Sequence, residues 1–312
     1  MTEVHVRTEP QLPVHDDDLA ARTTALAARS TDRHQRSRWP QRLRSFGKHL
    51  GLVALAVMMI YPLIWLLSSS IKPSETIFRD VSTIPTQIDM SNYTEGWNAL
   101  LHPFGHYMMN SAIVVLGSLV GNLIACSMAA YAFARLEFRG RRVWFAIMLM
   151  SIMLPIHVVI VPQYVLFSQL GWINTFLPLI VPKLLATDAF FVFLMVQFFR
   201  GIPRELDEAA RVDGCSQLGA LFRVVLPAAR PGVIAVSIYA FMTAWGEVLF
   251  ASVLTNDANR TLSIGLREYS TQINVYWNQV MAASLVVSVP VVIGFLLLQK
   301  QFVAGLTSGS VK

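Results

Sequence analysis

The chain has 312 residues, 54% of them hydrophobic and only 14% charged, with a net charge of +6. Soluble domains carry about 25% charged residues, so this composition excludes an ordinary soluble enzyme and points to a polytopic membrane protein. The positive charge does not argue for nucleic acid, because most Lys and Arg sit beside the ends of apolar runs.

Residues 1–48 are polar, rich in Arg, Asp and Ala, and lack a hydrophobic period, so a disordered cytoplasmic tail is expected there. Residues 49–312 read as one transmembrane domain. A bilayer core of roughly 30 Å needs about 20 apolar residues in helix, since every backbone polar group must be satisfied internally. Six stretches meet that need, at 50–70, 107–134, 143–167, 175–199, 233–255 and 278–299. The expectation is an all-α integral membrane protein with six transmembrane helices. The first stretch starts too late and runs too long for a cleaved signal peptide and reads as a signal-anchor. Gly171 and Asn174 mark a turn between the third and fourth. Lys183 and Asp188 interrupt the fourth.

Orientation follows from short-loop charge. Segment 33–48 holds six Lys and Arg, 135–142 four and 200–230 five, against two in 72–105, none in 168–174 and two in 256–277. Both termini and the 200–230 loop are therefore expected in the cytoplasm. The external segments carry Tyr93, Trp97, Tyr276 and Trp277, suited to short interfacial helices. Cys126 falls in a span and Cys215 in a cytoplasmic loop, so no structural disulfide is expected.

The loop 203–227 is unusual for so apolar a chain. Pro203 can open a helix at its first position, and a helical pattern runs to Val212, with Leu206, Ala209 and Ala210 on one side. Asp207 and Arg211 form an i,i+4 pair worth about 0.2–0.5 kcal/mol. Asp213-Gly214 reads as a tight turn, and a second short helix follows from about Ser216, which Pro227 is expected to stop. Small Ala209 and Ala210 permit close approach of another surface, and Glu208 offers a carboxylate to a basic partner. A solvated linker is the plainer reading of the letters alone.

Glu208-Ala209-Ala210, three residues, Gly214, nine residues, then Val224-x-Leu226-Pro227 resembles the coupling motif of permease subunits of binding-protein-dependent ABC importers. Further matches are similar to the smaller permease of the maltose-type carbohydrate pair. They include Ser69-Ser70-Ile71-Lys72-Pro73, Asn110-Ser111, Ala130-Tyr131-Ala132-Phe133-Ala134-Arg135, Trp245-Gly246-Glu247 and the end Gly305-Leu306-Thr307-Ser308. Gly246 departs from the family pattern, which commonly has Asn. The resemblance implies the type I ABC importer permease fold in a bacterial inner (plasma) membrane. It also implies a second permease subunit, two cytoplasmic ATP-binding subunits that hold ATP and Mg, an extracellular solute-binding protein and a carbohydrate substrate. The ATPase-coupling residues would be Glu205, Glu208, Ala209, Ala210, Asp213, Gly214, Leu226 and Pro227. They would act as a lever that switches two packings of the membrane helices.

Within the spans, Asn110, Asn122, Asp188, Trp245 and Glu247 are the candidates for a translocation path. A charge at mid-membrane costs roughly 2.5–3.5 kcal/mol on insertion scales, so Glu247 should face a bundle interior or a water-filled cavity. It reads either as a path carboxylate or as a buried structural acid. The asparagines read either as sugar ligands or as ties between helices. No phosphate loop occurs, since Gly47-Lys48 is followed by His49. No catalytic or metal-binding constellation is spaced convincingly. The chain therefore reads as a transport subunit without its own ATPase site or cofactor, beside lipid and with no nucleic acid partner. An ion-coupled secondary transporter is the alternative, and it gives the 203–227 loop no task.

Overall fold

The computed structural model describes residues 38–271 and 275–308, and every regular element among them is helical. Helix α1 is Arg38–Ser69. It corrects the expected tail boundary at 48, because residues 38–48 are helical; residues 1–37 lie outside the described residues. Arg and Gln are good helix formers, and Pro40 falls in the first turn, where a missing N–H is tolerated, so polarity alone does not end the helix. The chain divides between Pro62 and Leu63 into two units. In the first, Leu52, Val57, Met58 and Met59 are exposed on successive faces of α1. A helix apolar all round requires lipid or another membrane helix beside it, not water.

The second unit continues with α2 (Ser91–Trp97), α3 (Phe104–Arg135), α4 (Arg141–Ser151), α5 (Ile156–Gln169), α6 (Leu177–Leu184), α7 (Ala189–Arg200) and α8 (Glu205–Val212). Helix α9 (Gln217–Ala228) contains a widened π turn at Leu221–Val225. It is followed by α10 (Arg230–Trp245), α11 (Leu249–Leu254), α12 (Leu262–Thr271) and α13 (Trp277–Ser308). Among the described residues, four stretches, Ser45–Ser69, Phe104–Arg135, Leu177–Arg200 and Trp277–Leu297, are long and apolar enough to cross a membrane. There are six if the bent pairs α4–α5 and α9–α10 each count as one span.

Three expected spans are not straight. The 143–167 stretch is two helices meeting at 101°, because Pro155 cannot continue α4 and stands extended ahead of α5. The 175–199 stretch breaks at 185–188, with Ala186 in the left-handed region at φ 54°. The 233–255 stretch ends at Trp245, unwinds over 246–248 and resumes as α11. Gly246 is a poor helix former, and the Glu247 side chain competes for the next helix's backbone. Glu247 is thus corrected from mid-helix to the break. The turn expected near Gly171 and Asn174 is present, both at positive φ.

Helix α3 is the hub, packed against α6, α7, α10 and α12, while α13 packs on α2, α10 and α12. Small residues set these approaches. A Cβ on Gly117 would meet Ile180 at 2.8 Å, and one on Gly121 would meet the Leu184 backbone nitrogen at 3.1 Å. A Cβ on Gly232 of α10 would lie 2.3 Å from Phe198 of α7. The main core joins Cys126, Ala130 and Ala134 of α3 to Val192, Met195, Val196 and Phe199 of α7, Leu221 and Val225 of α9, and Val236 and Ala240 of α10. The second leg of the 203–227 loop is therefore part of the bundle's core.

Gly232→Ala should destabilise the bundle by about 1–3 kcal/mol through overpacking against Phe198. Adding Phe198→Leu should recover part of that loss. Thermal unfolding of the detergent-solubilised single and double variants measures both.

Candidate functional site

Helix α8 has Glu205, Asp207 and Glu208 in its first turn, where the partial positive charge of unsatisfied N–H groups favours acids. Its end is built by Gly214. At φ 80°, this glycine lets its own N–H reach the Arg211 carbonyl at 3.0 Å and lets the Cys215 N–H reach that of Ala210 at 2.9 Å. That pair of bonds is a Schellman cap, and its left-handed residue is why a glycine stands four positions after Ala210. Ser216 then caps α9, its Oγ accepting from the Gly219 N–H at 3.1 Å. The two helices are joined by a rigid corner with no slack between them.

The expectation that Pro227 stops the second helix is corrected, because the helix continues to Ala228. Pro227 has no N–H for the Arg223 carbonyl. The turn before it widens so that the Leu226 N–H bonds instead to Leu221.

The expected Asp207–Arg211 surface pair is also corrected. Asp207 is buried, with Oδ2 3.3 Å from Arg135 Nε and Oδ1 accepting from the Tyr131 hydroxyl at 3.4 Å. Arg135 Nη2 donates to the carbonyls of Phe199 at 2.6 Å and Ile202 at 2.7 Å. One buried guanidinium, 4% exposed, thus joins the end of α3, the end of α7 and the face of α8. In the sequence, Arg135 read as a topology charge and as the last residue of a family match, not as a buried partner of Asp207. The missed signal is Tyr131 and Arg135 at i,i+4 on one face of an otherwise uncharged helix.

On α8, Glu205, Glu208 and Ala209 are exposed, as are Asp213 and Gly214 just beyond it. Ala210 is buried at 5%, three residues from Asp207 on the inward face, so only Ala209 of the two alanines is open to another surface. Leu226 is half-buried and Pro227 exposed. Exposed Leu206, Val212, Leu218 and Phe222 surround this face. This part of α8 thus presents carboxylates and a small residue beside exposed apolar side chains.

The candidate path residues are each held within the chain. Asn110 Nδ2 donates to the carbonyls of Ala258 at 3.1 Å and Arg260 at 2.9 Å. Trp245 Nε1 donates to the Val287 carbonyl at 3.2 Å. Glu247 Oε1 accepts from the Phe250 N–H at 2.9 Å and so caps α11. Asn122 and Asp188 are brought together: Cys126 Sγ lies 3.7 Å from Asn122 Oδ1 and 3.9 Å from the Asp188 carbonyl. Asp188 also pairs with Lys183 at 2.9 Å across the break between α6 and α7, both half-buried. Asn110 and Trp245 thus tie elements together, Glu247 bonds the start of α11, and the half-buried Asp188–Lys183 pair spans the break between α6 and α7.

Residues 121–307 match the model of the binding-protein-dependent transport system inner membrane component. The chain belongs to this family. The probable ABC transporter permease protein YurM of Bacillus subtilis is 34% identical to it over 84% of this chain and 86% of the relative. The trehalose/maltose transport system permease protein MalG of Thermococcus litoralis is 30% identical over 84% and 95%. The sulfoquinovosyl glycerol transport system permease protein SmoH of Agrobacterium fabrum is 33% identical over 85% and 94%. A chain of a bacterial ABC transporter involved in alginate import superposes with a TM-score of 0.74 at 24% identity, covering 85% of this chain and 98% of its own. The permease thus has the all-α ABC importer permease fold and is a multi-pass membrane protein and a transport component. None of these relatives favours an ion-coupled carrier.

Two substitutions in this permease should differ in severity. Gly214→Ala puts a Cβ on a left-handed residue and should cost about 1–2 kcal/mol. Arg135→Met leaves a buried carboxylate without its cation and removes the side-chain donor from the Phe199 and Ile202 carbonyls, and should cost about 3–5 kcal/mol. Thermal unfolding of purified protein checks the order, and equal losses would contradict the buried-ion account.

Proposed function

We propose that this chain is one of two permease subunits of an ABC importer that carries a carbohydrate into a bacterial cell. The solute is delivered by an external binding protein, and two separate cytoplasmic subunits bind ATP and Mg and hydrolyse it. The permease itself holds no cofactor. The observation that carries this reading is the α8 knob. Its acidic, small-residue face is exposed while its other face is bonded to Arg135 of α3, which also holds the end of α7. Such a part transmits force well and does nothing useful as a linker.

Loop charge supports the direction. The knob lies in the Arg-rich set of loops, on the cytoplasmic side with both termini. Relatives named for trehalose/maltose, sulfoquinovosyl glycerol and diacetylchitobiose transport support a carbohydrate cargo. Glu205, Glu208, Ala209, Asp213 and Gly214 would meet the ATPase, while Ala210 packs inward and Leu226 and Pro227 shape the end of the second helix. The half-buried Asp188–Lys183 pair, beside Asn122, is the best-placed polar group for the sugar's path.

Glu208→Lys should abolish ATP-driven sugar uptake in reconstituted vesicles while membrane insertion and binding of the loaded external protein persist. Normal uptake by that variant would refute the coupling role. Uptake stopped by a proton uncoupler without any need for ATP would favour the ion-coupled carrier.

A further inference from the structure

We propose that Arg135 is a positioning residue for transport, the pin through which movement of α8 reaches the membrane helices α3 and α7. This rests on the reading of α8 as the part gripped by the ATPase.

The grip is unequal. On the membrane side, Nη2 holds the Phe199 and Ile202 carbonyls at 2.6 and 2.7 Å, short distances for a charged donor. These two carbonyls stand at the end of α7 and in the turn after it, where a cation is favoured by the helix dipole. On the α8 side, Nε and Asp207 Oδ2 are 3.3 Å apart, yet neither atom has an aligned hydrogen bond, although both are fully buried. Nearly all buried polar atoms in native proteins are paired, so a misaligned charged pair needs a reason. The arrangement supplies one. Arg135 moves as a body with α3 and α7, and the Asp207 joint is where α8 turns by a small angle between two states. Tyr131, one helical turn back on α3, keeps a hydroxyl on the other carboxylate oxygen at 3.4 Å and stops the joint from opening outright. Burial keeps water from substituting for either partner, so the two helices remain linked as the joint turns.

The test uses the assembled transporter in vesicles and reads sugar imported per ATP hydrolysed, a ratio that does not depend on the amount of folded protein. Asp207→Asn keeps shape and removes the charge. It should lower the ratio roughly three- to thirtyfold while ATP hydrolysis continues, and Asp207→Glu should restore part of it. A cysteine at Glu205, cross-linked to the ATPase, reports docking. If Asp207→Asn does not assemble, Arg135→Lys, which keeps the charge and loses the fork, carries the same measurement. An unchanged ratio with docking intact overturns the pin. Absence of the cross-link in the otherwise unsubstituted transporter overturns instead the reading of α8 on which the pin depends.

Discussion

The structure depends on a charge held out of water at the end of α3. Arg135 is buried, and a buried cation is tolerated only where an opposite charge and hydrogen-bond acceptors compensate it. Its contacts are the carbonyls that end α7 and the one carboxylate that faces inward from α8. That requirement fixes three helix ends against one another. It also makes the chain's most polar loop a rigid extension of its most apolar part. The main core reinforces this, because Leu221 and Val225 of α9 are fully buried among side chains of α3, α7 and α10.

The membrane helices show the opposite tendency, toward interruption. Breaks at Pro155, at Ala186 and at Gly246-Glu247 each free backbone groups that lipid cannot satisfy. Side chains near the breaks take up some of them: Ser151 Oγ donates to the Met148 carbonyl, Thr187 Oγ1 to the Pro182 carbonyl, and Glu247 takes up the Phe250 N–H. Unwound backbone at that depth is stable when it lies against protein or lines a watery passage. A protein that alternates between two packings of its helices needs such breaks, since long straight helices move only as whole rods.

Much of this was legible in the residues. Long runs without charge announced the spans, because period and length are local properties of a sequence. The Gly214 turn was legible too, since a tight corner four residues after Ala210 calls for a residue without Cβ. Other expectations failed for a common reason. Asp207 was assigned to Arg211 because the two stand four apart, but the partner that burial selects is Arg135, far away in the chain. Ala210 was given to a foreign surface, and the fold uses it as its own. Pro227 was read as a stop, and a widened turn absorbs it.

The sequence by itself determined that the chain is helical, membrane-embedded and equipped with a capped two-helix corner, and it carried the signature of its family. Those features follow from hydropathy, helix propensity and backbone freedom, which act within a few turns of chain. Only the tertiary structure decided which polar groups face inward, which spans bend, and which candidate path residues bind helices together. Those outcomes turn on burial, and burial is set by neighbours that come from anywhere in the chain.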